Sequence, residues 1–223
     1  MKKHFVPKTE STIKAVLFDI DGVLLDSFEA GFLFFGDILT ALGYPRPTRG
    51  AYKSAFHLPL TLALKYLAKA DLTEELGRLD EILQNVSYHT ELLSEPPGCK
   101  EVLEALHKKY KLGIITSRNR DGLSKRYFPF SKTEKYFSVT VTIEDVTHPK
   151  PHPEPLLLAA KRLKLKPSEC VYVGDSHTDI EAGKSAGMKT ILYGGKKHKK
   201  ADVSIRSFRR LPEAILLLQK RGR

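Results

Sequence analysis

Carboxylates, hydroxyls and a lysine recur at or just beyond the ends of short apolar runs and could do chemistry together. Asp19 and Asp21 follow the run Lys14–Phe18, and Thr116 and Ser117 follow Lys111–Ile115. Glu144 and Asp145 follow Ser138–Ile143, with Lys150 a few residues on. Asp175 and Asp179 follow Cys170–Val173. Residues two apart across an extended turn point to one side, so Asp19 and Asp21 share a face. Asp175 and Asp179 are one helical turn apart and do the same. Carboxylates gathered in this way repel one another. A hard cation relieves that repulsion, and an all-oxygen set suits Mg²⁺. A lysine and a hydroxyl beside them would face an anion, and phosphate is the natural one.

The elements that must position these groups are legible from hydrophobic patterning. The apolar runs at 14–18, 111–115, 138–143, 170–173 and 189–193 read as buried strands, with a weaker sixth at 202–205. Helical periodicity separates them at 100–110, 154–165, 179–186 and 212–219. Alternating strands and helices imply a parallel sheet covered on both faces. In such sheets ligands bind beyond the carboxyl ends of the strands, where all the residues above lie. Residues 28–95 break the rhythm. They contain no clear strand and read as helices at 28–42, near 51–56, at 60–70 and at 73–93. The expected division is an α/β core of 1–27 and 96–223 with an all-helical insertion at 28–95.

Taken together, these segments resemble the haloacid dehalogenase (HAD) superfamily of phosphohydrolases. Phe18-Asp19-Ile20-Asp21-Gly22-Val23 resembles its first motif, Ile114-Ile115-Thr116-Ser117 its second, Lys150-Pro151-His152-Pro153 its third and Val173-Gly174-Asp175-Ser176-His177-Thr178-Asp179 its fourth. Order and spacing match over nearly the whole chain. Ile180 to Gly187 and the helical insertion resemble the phosphoglycolate phosphatase and pyrophosphatase branch, whose cap lies there. The resemblance implies a Rossmann-like core with a helical cap. It also implies a Mg²⁺-dependent phosphatase acting on small phosphate monoesters through an aspartyl-phosphate, with phosphoglycolate a candidate substrate. Asp19 would be the nucleophile and Asp21 the general acid/base. Thr116 would bind the phosphoryl oxygens, and Lys150 would balance charge. Asp19, Asp21 and Asp175 would hold the metal, with Asp179 orienting Asp175, water or Lys150. Pro149 stands where the family often has glycine. Asp175 is also a possible helix N-cap, and Asp26 and Ser27 read as hinge and capping residues.

Substrate contacts are expected from Ser117 and Arg118 in the core and from Arg49, Lys53 and His57 in the insertion. Arg49 or Lys53 would pair with a carboxylate on the substrate. His57 stands where the family pattern commonly has glycine, and two readings remain open: it touches the leaving group, or it packs. Asp21 disfavours dehalogenases and phosphonatases, which lack that residue. Hexose-phosphate mutases carry a cap-entry histidine where this chain has Gly31. The alternatives are a pyrophosphatase or nucleotidase of the same superfamily, then a mutase, then a polyanion binder.

Composition limits the partners. Of 223 residues, 37 are Lys or Arg and 26 Asp or Glu, a net of +11. Residues 196–223 carry ten basic and two acidic residues, so most of the surplus is local. Its first part, 196–200, either rims the catalytic edge or is solvated, and the final helix reads as a solvated face. The insertion has six basic and nine acidic residues, which does not suit a nucleic-acid surface. The two cysteines fit no zinc or disulfide pattern and read as small buried hydrophobes. Neither a membrane span nor a secretory leader is expected. The expectation is a cytoplasmic monomer acting on a small phosphorylated metabolite, with no obligatory nucleic acid and no membrane.

Overall fold

The structure is a computed structural model, and it describes residues 12–195 and 197–220. Six parallel strands form one sheet: β1 (Ala15–Phe18), β2 (Lys111–Ile115), β3 (Phe137–Val141), β4 (Cys170–Gly174), β5 (Lys189–Tyr193) and β6 (Val203–Ile205). Their spatial order is β3-β2-β1-β4-β5-β6. The order reverses at β1, so the crevice for a ligand opens where β1 and β4 end side by side. Phe18 pairs with Val173 across that seam and with Ile114 on the other side.

Period-two alternation sorts the strand side chains onto two cores. Val16, Phe18, Ile114, Val171 and Val173 face one side. There they pack against α5 (Cys99–His107) and α9 (Leu211–Lys220). Ala15, Leu17, Ile115 and Tyr172 face the other. They pack against α7 (Glu154–Leu163) and α8 (His177–Ser185). All four residues of β1 are buried, as a strand covered on both faces requires. Cys99 and Cys170 are buried free thiols within these cores. Burial pushes both thiols up to about 12, which leaves them unreactive.

Between β1 and α5 the described chain is helical. It comprises α1 (Phe28–Ala41), α2 (Arg49–Ala55), α3 (Leu60–Ala68) and α4 (Leu79–Asn85), with short 3-10 turns at Glu75–Arg78 and Thr90–Leu92. Phe34, Ile38, Leu39, Leu64, Leu72, Leu79 and Ile82 form a third apolar cluster of their own. Tyr88 packs against both this cluster and the first core.

The expected elements need three corrections. The helix anticipated over 73–93 is broken: α4 ends when the backbone turns extended at the β-branched Val86. The third strand stops at Val141, because Thr142 and Asp145 cap one another around a 3-10 turn over Ile143–Asp145. A helical segment at 122–131, including α6 (Phe128–Ser131), escaped the reading because Gly122 and Pro129 interrupt its periodicity.

Lys196, Arg221 and Arg223 lie outside the described residues. Of the remaining basic segment, Lys200 lies 3.7 Å from Glu181 beside the Pro149–Pro153 loop. The final helix is amphipathic, burying Leu211, Ala214, Ile215 and Leu218. Arg210 beside it pairs with Glu213 in solvent. Among the described residues no helix is long and apolar enough to cross a membrane.

Candidate active site

The strand ends bring the carboxylates together. Asp19 follows β1 directly, and its amide donates to the Val173 carbonyl at 3.0 Å. Gly22, at φ +79°, turns the chain back, and a Cβ there would lie 2.3 Å from the Asp175 carboxylate. Only glycine allows the turn after β1 to approach the turn after β4 so closely. Carboxylate oxygens of Asp19, Asp175 and Asp179 lie within 4.8 Å of one another.

Lys150 comes from the loop between β3 and α7 and is almost fully buried. Its Nζ lies 3.1 Å from Asp19 Oδ2 and 2.8 Å from Asp179 Oδ1. It also donates to the Tyr172 hydroxyl at 3.1 Å, and that hydroxyl donates to Asp179 at 3.0 Å. A buried ammonium persists only where carboxylates surround it. Burial alone would lower its pKa, but Asp179 and Asp19 outweigh this and raise it above the ordinary lysine range. Asp179 is fully buried, and its other oxygen accepts from the Ser176 amide and hydroxyl. Ser176 in turn caps α8, so Ser176, not Asp175, is the N-cap. Burial pushes the Asp19 carboxyl up to about 7, opposed by Lys150 and aided by Asp179 and Asp21.

Asp21 faces a different partner. Arg118 donates from Nε to Asp21 Oδ2 at 2.8 Å and from a terminal nitrogen to Oδ1 at 2.6 Å. The Ser27 hydroxyl also donates to Oδ1. Burial favours a neutral Asp21, but the Arg118 guanidinium wins, and the carboxyl is held below the ordinary range. Arg118 also donates to the Tyr88 hydroxyl at 2.9 Å. Thr116 is buried, and its hydroxyl accepts from the Arg118 amide at 3.1 Å.

Above these groups lies a cavity of about 300 Å³. Its floor includes Asp19, Asp21, Ser117 and Arg118. Its walls are aromatic and aliphatic, among them Phe34, Phe35, Tyr52, Phe56 and Tyr88. His57 lines this cavity, with Nδ1 3.6 Å from Asp175 Oδ1. The structure therefore puts His57 at the carboxylate cluster.

Other expected residues are placed elsewhere. Arg49 is exposed, pairs with Glu29 and lies over the Phe32 ring. Lys53 is exposed on α2. Neither lines the cavity, because α2 turns its basic face to solvent. Arg118 directs its guanidinium to Asp21 and Tyr88. Ser27, expected to cap α1, makes no side-chain cap bond and holds Asp21. Asp26 supplies the cap-like contact, accepting from the Phe28 amide at 3.4 Å. Asp145 is tied to Thr142, Arg120 and Arg162 and takes no part. Tyr172 was findable, since a tyrosine inside a buried strand needs a partner for its hydroxyl. Tyr88 and Arg126, both in the cavity wall, gave no signal in the sequence.

This geometry is that of a known class of enzyme: residues 16–193 match the haloacid dehalogenase-like hydrolases, and the chain belongs to that family. It is 36% identical to the pyrophosphatase PpaX of Bacillus velezensis over 188 residues, 82% of this chain and 83% of that one. Among solved structures it resembles a HAD phosphatase from Thermococcus onnurineus at 30% identity and TM-score 0.68, covering 91% of this chain and 98% of that one. It also resembles a protein from Lactobacillus plantarum provisionally assigned as a phosphoglycolate phosphatase, at 26% identity and TM-score 0.77, covering 93% and 99%. The chain is thus a hydrolase with a Rossmann-like core and a helical insertion after its first strand.

Proposed function

We infer that the chain hydrolyses small phosphate monoesters, with Asp19 as nucleophile. One observation carries this reading: the carboxylates of Asp19, Asp175 and Asp179 converge at the sheet's switch point, two of them paired with Lys150, at the floor of a cavity. Four carboxylates, counting Asp21, stand against the two cations Lys150 and Arg118. Such an all-oxygen, net-negative donor set fits a hard divalent cation. Asp19, Asp175 and the Asp21 carbonyl would hold Mg²⁺, with Asp179 behind them. When bound, the ion supplies positive charge to the carboxylate cluster and to the incoming phosphoryl group.

Asp19 attacks phosphorus, and the bond to the leaving oxygen breaks as an aspartyl-phosphate forms. Lys150 offsets the charge gathered at Asp19 and the phosphoryl oxygens. Thr116 and the Ser117 amide face those oxygens from the end of β2. Asp21 gives its proton to the leaving oxygen and later takes one from the water that releases phosphate. As placed here, Asp21 is in the ionised form that accepts a proton. The proton it gives must first be taken up, from solvent or from a substrate that arrives as its monoanion, while Arg118 holds the carboxyl in place.

We take residues 28–95 as the cap, with boundaries at Ser27 and Pro96, since they roof the cavity from outside the sheet. A cap excludes water from the reaction and selects the leaving group. The phosphatase reading is favoured over a mutase at Gly31. A Cβ there would meet the Tyr52 hydroxyl at 2.0 Å, so a histidine would have to displace Tyr52. The likeness to PpaX supports pyrophosphate as an alternative substrate. The setting we propose is a cytoplasmic monomer.

The test is phosphate release from a panel of esters and pyrophosphate, with and without Mg²⁺. Asp19→Asn is expected to abolish turnover while the fold melts normally. Retained phosphate release in that variant would overturn the mechanism.

A further inference from the structure

The cavity contains a cation that the reaction above does not use. Arg126 lies in its wall, half-buried, on the helical segment that follows Asp121. Its guanidinium is stacked 4.9 Å from the Phe34 ring and 4.9 Å from the Tyr88 ring. Among the described residues no carboxylate forms an ion pair with it. Its acidic neighbour Asp121 is held by Lys125 at 2.7 Å. The other acid of the cavity wall, Asp80, is exposed on α4. Arg118, by contrast, is fully engaged with Asp21.

The position of Arg126 defines what it can touch. Asp21, Arg118, Tyr88 and Arg126 form a continuous chain of contacts: carboxylate to guanidinium, guanidinium to ring, and the same ring to the second guanidinium. Lys150 and Thr116, which face the transferred phosphoryl group, are not in that chain. Arg126 is thus linked to the site through Asp21, the proposed leaving-group acid, and not through the groups that face the transferred phosphoryl. Two aromatic rings 4.9 Å from its guanidinium carbon restrain the side chain, so less freedom remains to be lost on binding. A planar fork held in this way suits a carboxylate or phosphate oxygen pair. Phe34, Phe35, Phe56 and the ring of Tyr52 give the same cavity a largely aromatic wall.

We propose that Arg126 is the specificity residue of this enzyme, and that its substrates are phosphate esters whose leaving group has a carbon body ending in a second anion. The carbon body lies against the aromatic wall, and the second anion, carboxylate or phosphate, is read by Arg126. This rests on the phosphohydrolase reading above. It assigns to a core-domain arginine the role that Arg49 and Lys53 cannot fill from the solvent side of α2.

The experiment compares kcat/KM for three aryl esters of one size class: para-tolyl phosphate, para-carboxyphenyl phosphate and para-phenylene bisphosphate. The wild-type protein is expected to favour one or both esters that carry a second anion over the tolyl ester by roughly 10- to 100-fold, the worth of a charged hydrogen bond. The carboxylate and phosphate arms show which anion is read. Arg126→Gln is expected to lower kcat/KM on the favoured ester at least tenfold more than on the tolyl ester, chiefly through KM. Arg126→Lys keeps the stem and charge but not the fork. It should show the same split in reduced size, and it serves if the Gln variant does not fold. Equal losses on all three esters, or no wild-type preference, would overturn the proposal while leaving the phosphohydrolase reading intact. Failure of the wild type to hydrolyse any ester, with Mg²⁺ present, would overturn that reading itself.

Discussion

Arg118 grips the Asp21 carboxylate through both oxygens, at 2.8 and 2.6 Å, while the Ser27 hydroxyl holds one of them from the other side. A proton donor to a leaving oxygen must be placed within hydrogen-bond reach of it, and these two residues do the placing. Arg118 also keeps Asp21 ionised, so it sets both the position and the charge of the carboxyl proposed as acid/base.

That relationship predicts a leaving-group dependence. Arg118→Gln frees Asp21 from its orienting partner and leaves it tethered by Ser27 alone. Misplacing a general acid costs on the order of 10²-fold. The loss should be full for alkyl phosphates, whose alkoxide needs a proton to depart. It should be much smaller for para-nitrophenyl phosphate, whose phenolate leaves without one. Steady-state kcat on both substrates checks this, and equal losses would show that Arg118 does not act through Asp21.

Gly31 and Tyr52 predict a steric coupling. Tyr52 is buried, and its hydroxyl occupies the space a Cβ at position 31 would need. Gly31→Ala should destabilise the fold by about 1–3 kcal/mol, the usual cost of overpacking. Tyr52→Phe removes the oxygen and leaves the ring carbon 3.1 Å from the added methyl. The double variant should therefore recover part of the loss. Denaturant melts of all four proteins close the cycle, and strict additivity would show that the two residues do not meet.

What the sequence revealed follows from which interactions are local. β1, β2, β4 and β5 were legible because a strand buried on both faces needs a continuous apolar run. Asp19, Asp175, Thr116 and Lys150 were legible because a parallel sheet sends its strand ends to one edge. The cavity wall was not. Tyr88 and Arg126 are 38 positions apart, and they meet only because the insertion folds back over the sheet. The outward placement of Arg49 and Lys53 has the same origin. A basic residue in an inserted helix gives no sign of which way its helix face turns, and α2 turns these two outward. Ser27 escaped for a subtler reason: at a helix start serine normally caps, but here its hydroxyl is aimed at Asp21.

The carboxylate cluster predicts stabilisation by a divalent cation. An ion that binds only the folded chain adds stability by mass action, about 2.7 kcal/mol at one hundred times its Kd. Mg²⁺ should therefore raise the melting temperature in a concentration-dependent way, and chelation should reverse this. Asp175→Asn removes one charge from the set without changing its shape, so the Mg²⁺-dependent shift should nearly vanish. Scanning calorimetry of both proteins with and without Mg²⁺ is the measurement. A shift of undiminished size in the variant would remove Asp175 from the ion's site.

Asp145 predicts a pH dependence of stability outside the reaction centre. Its carboxylate accepts from the Thr142 amide and hydroxyl at 2.8 and 2.9 Å and from Arg162 and Arg120 at 2.8 and 3.0 Å. Burial pushes its pKa up, but Arg162 first and then Thr142 and Arg120 outweigh that, and the carboxyl stays well below its ordinary value near 3.8. A carboxyl depressed on folding stabilises the native state while it is ionised. The contribution is therefore fully present above the unfolded value near 3.8. It drains away as pH falls below that value towards the folded one. Asp145→Asn keeps the shape but loses the charge-assisted bonds, so at neutral pH it should lower stability by about 1–3 kcal/mol. The gap between variant and wild type should narrow as denaturation is repeated at successively lower pH below about 4. A gap independent of pH would mean that the turn over Ile143–Asp145 is held by its shape and not by this charge.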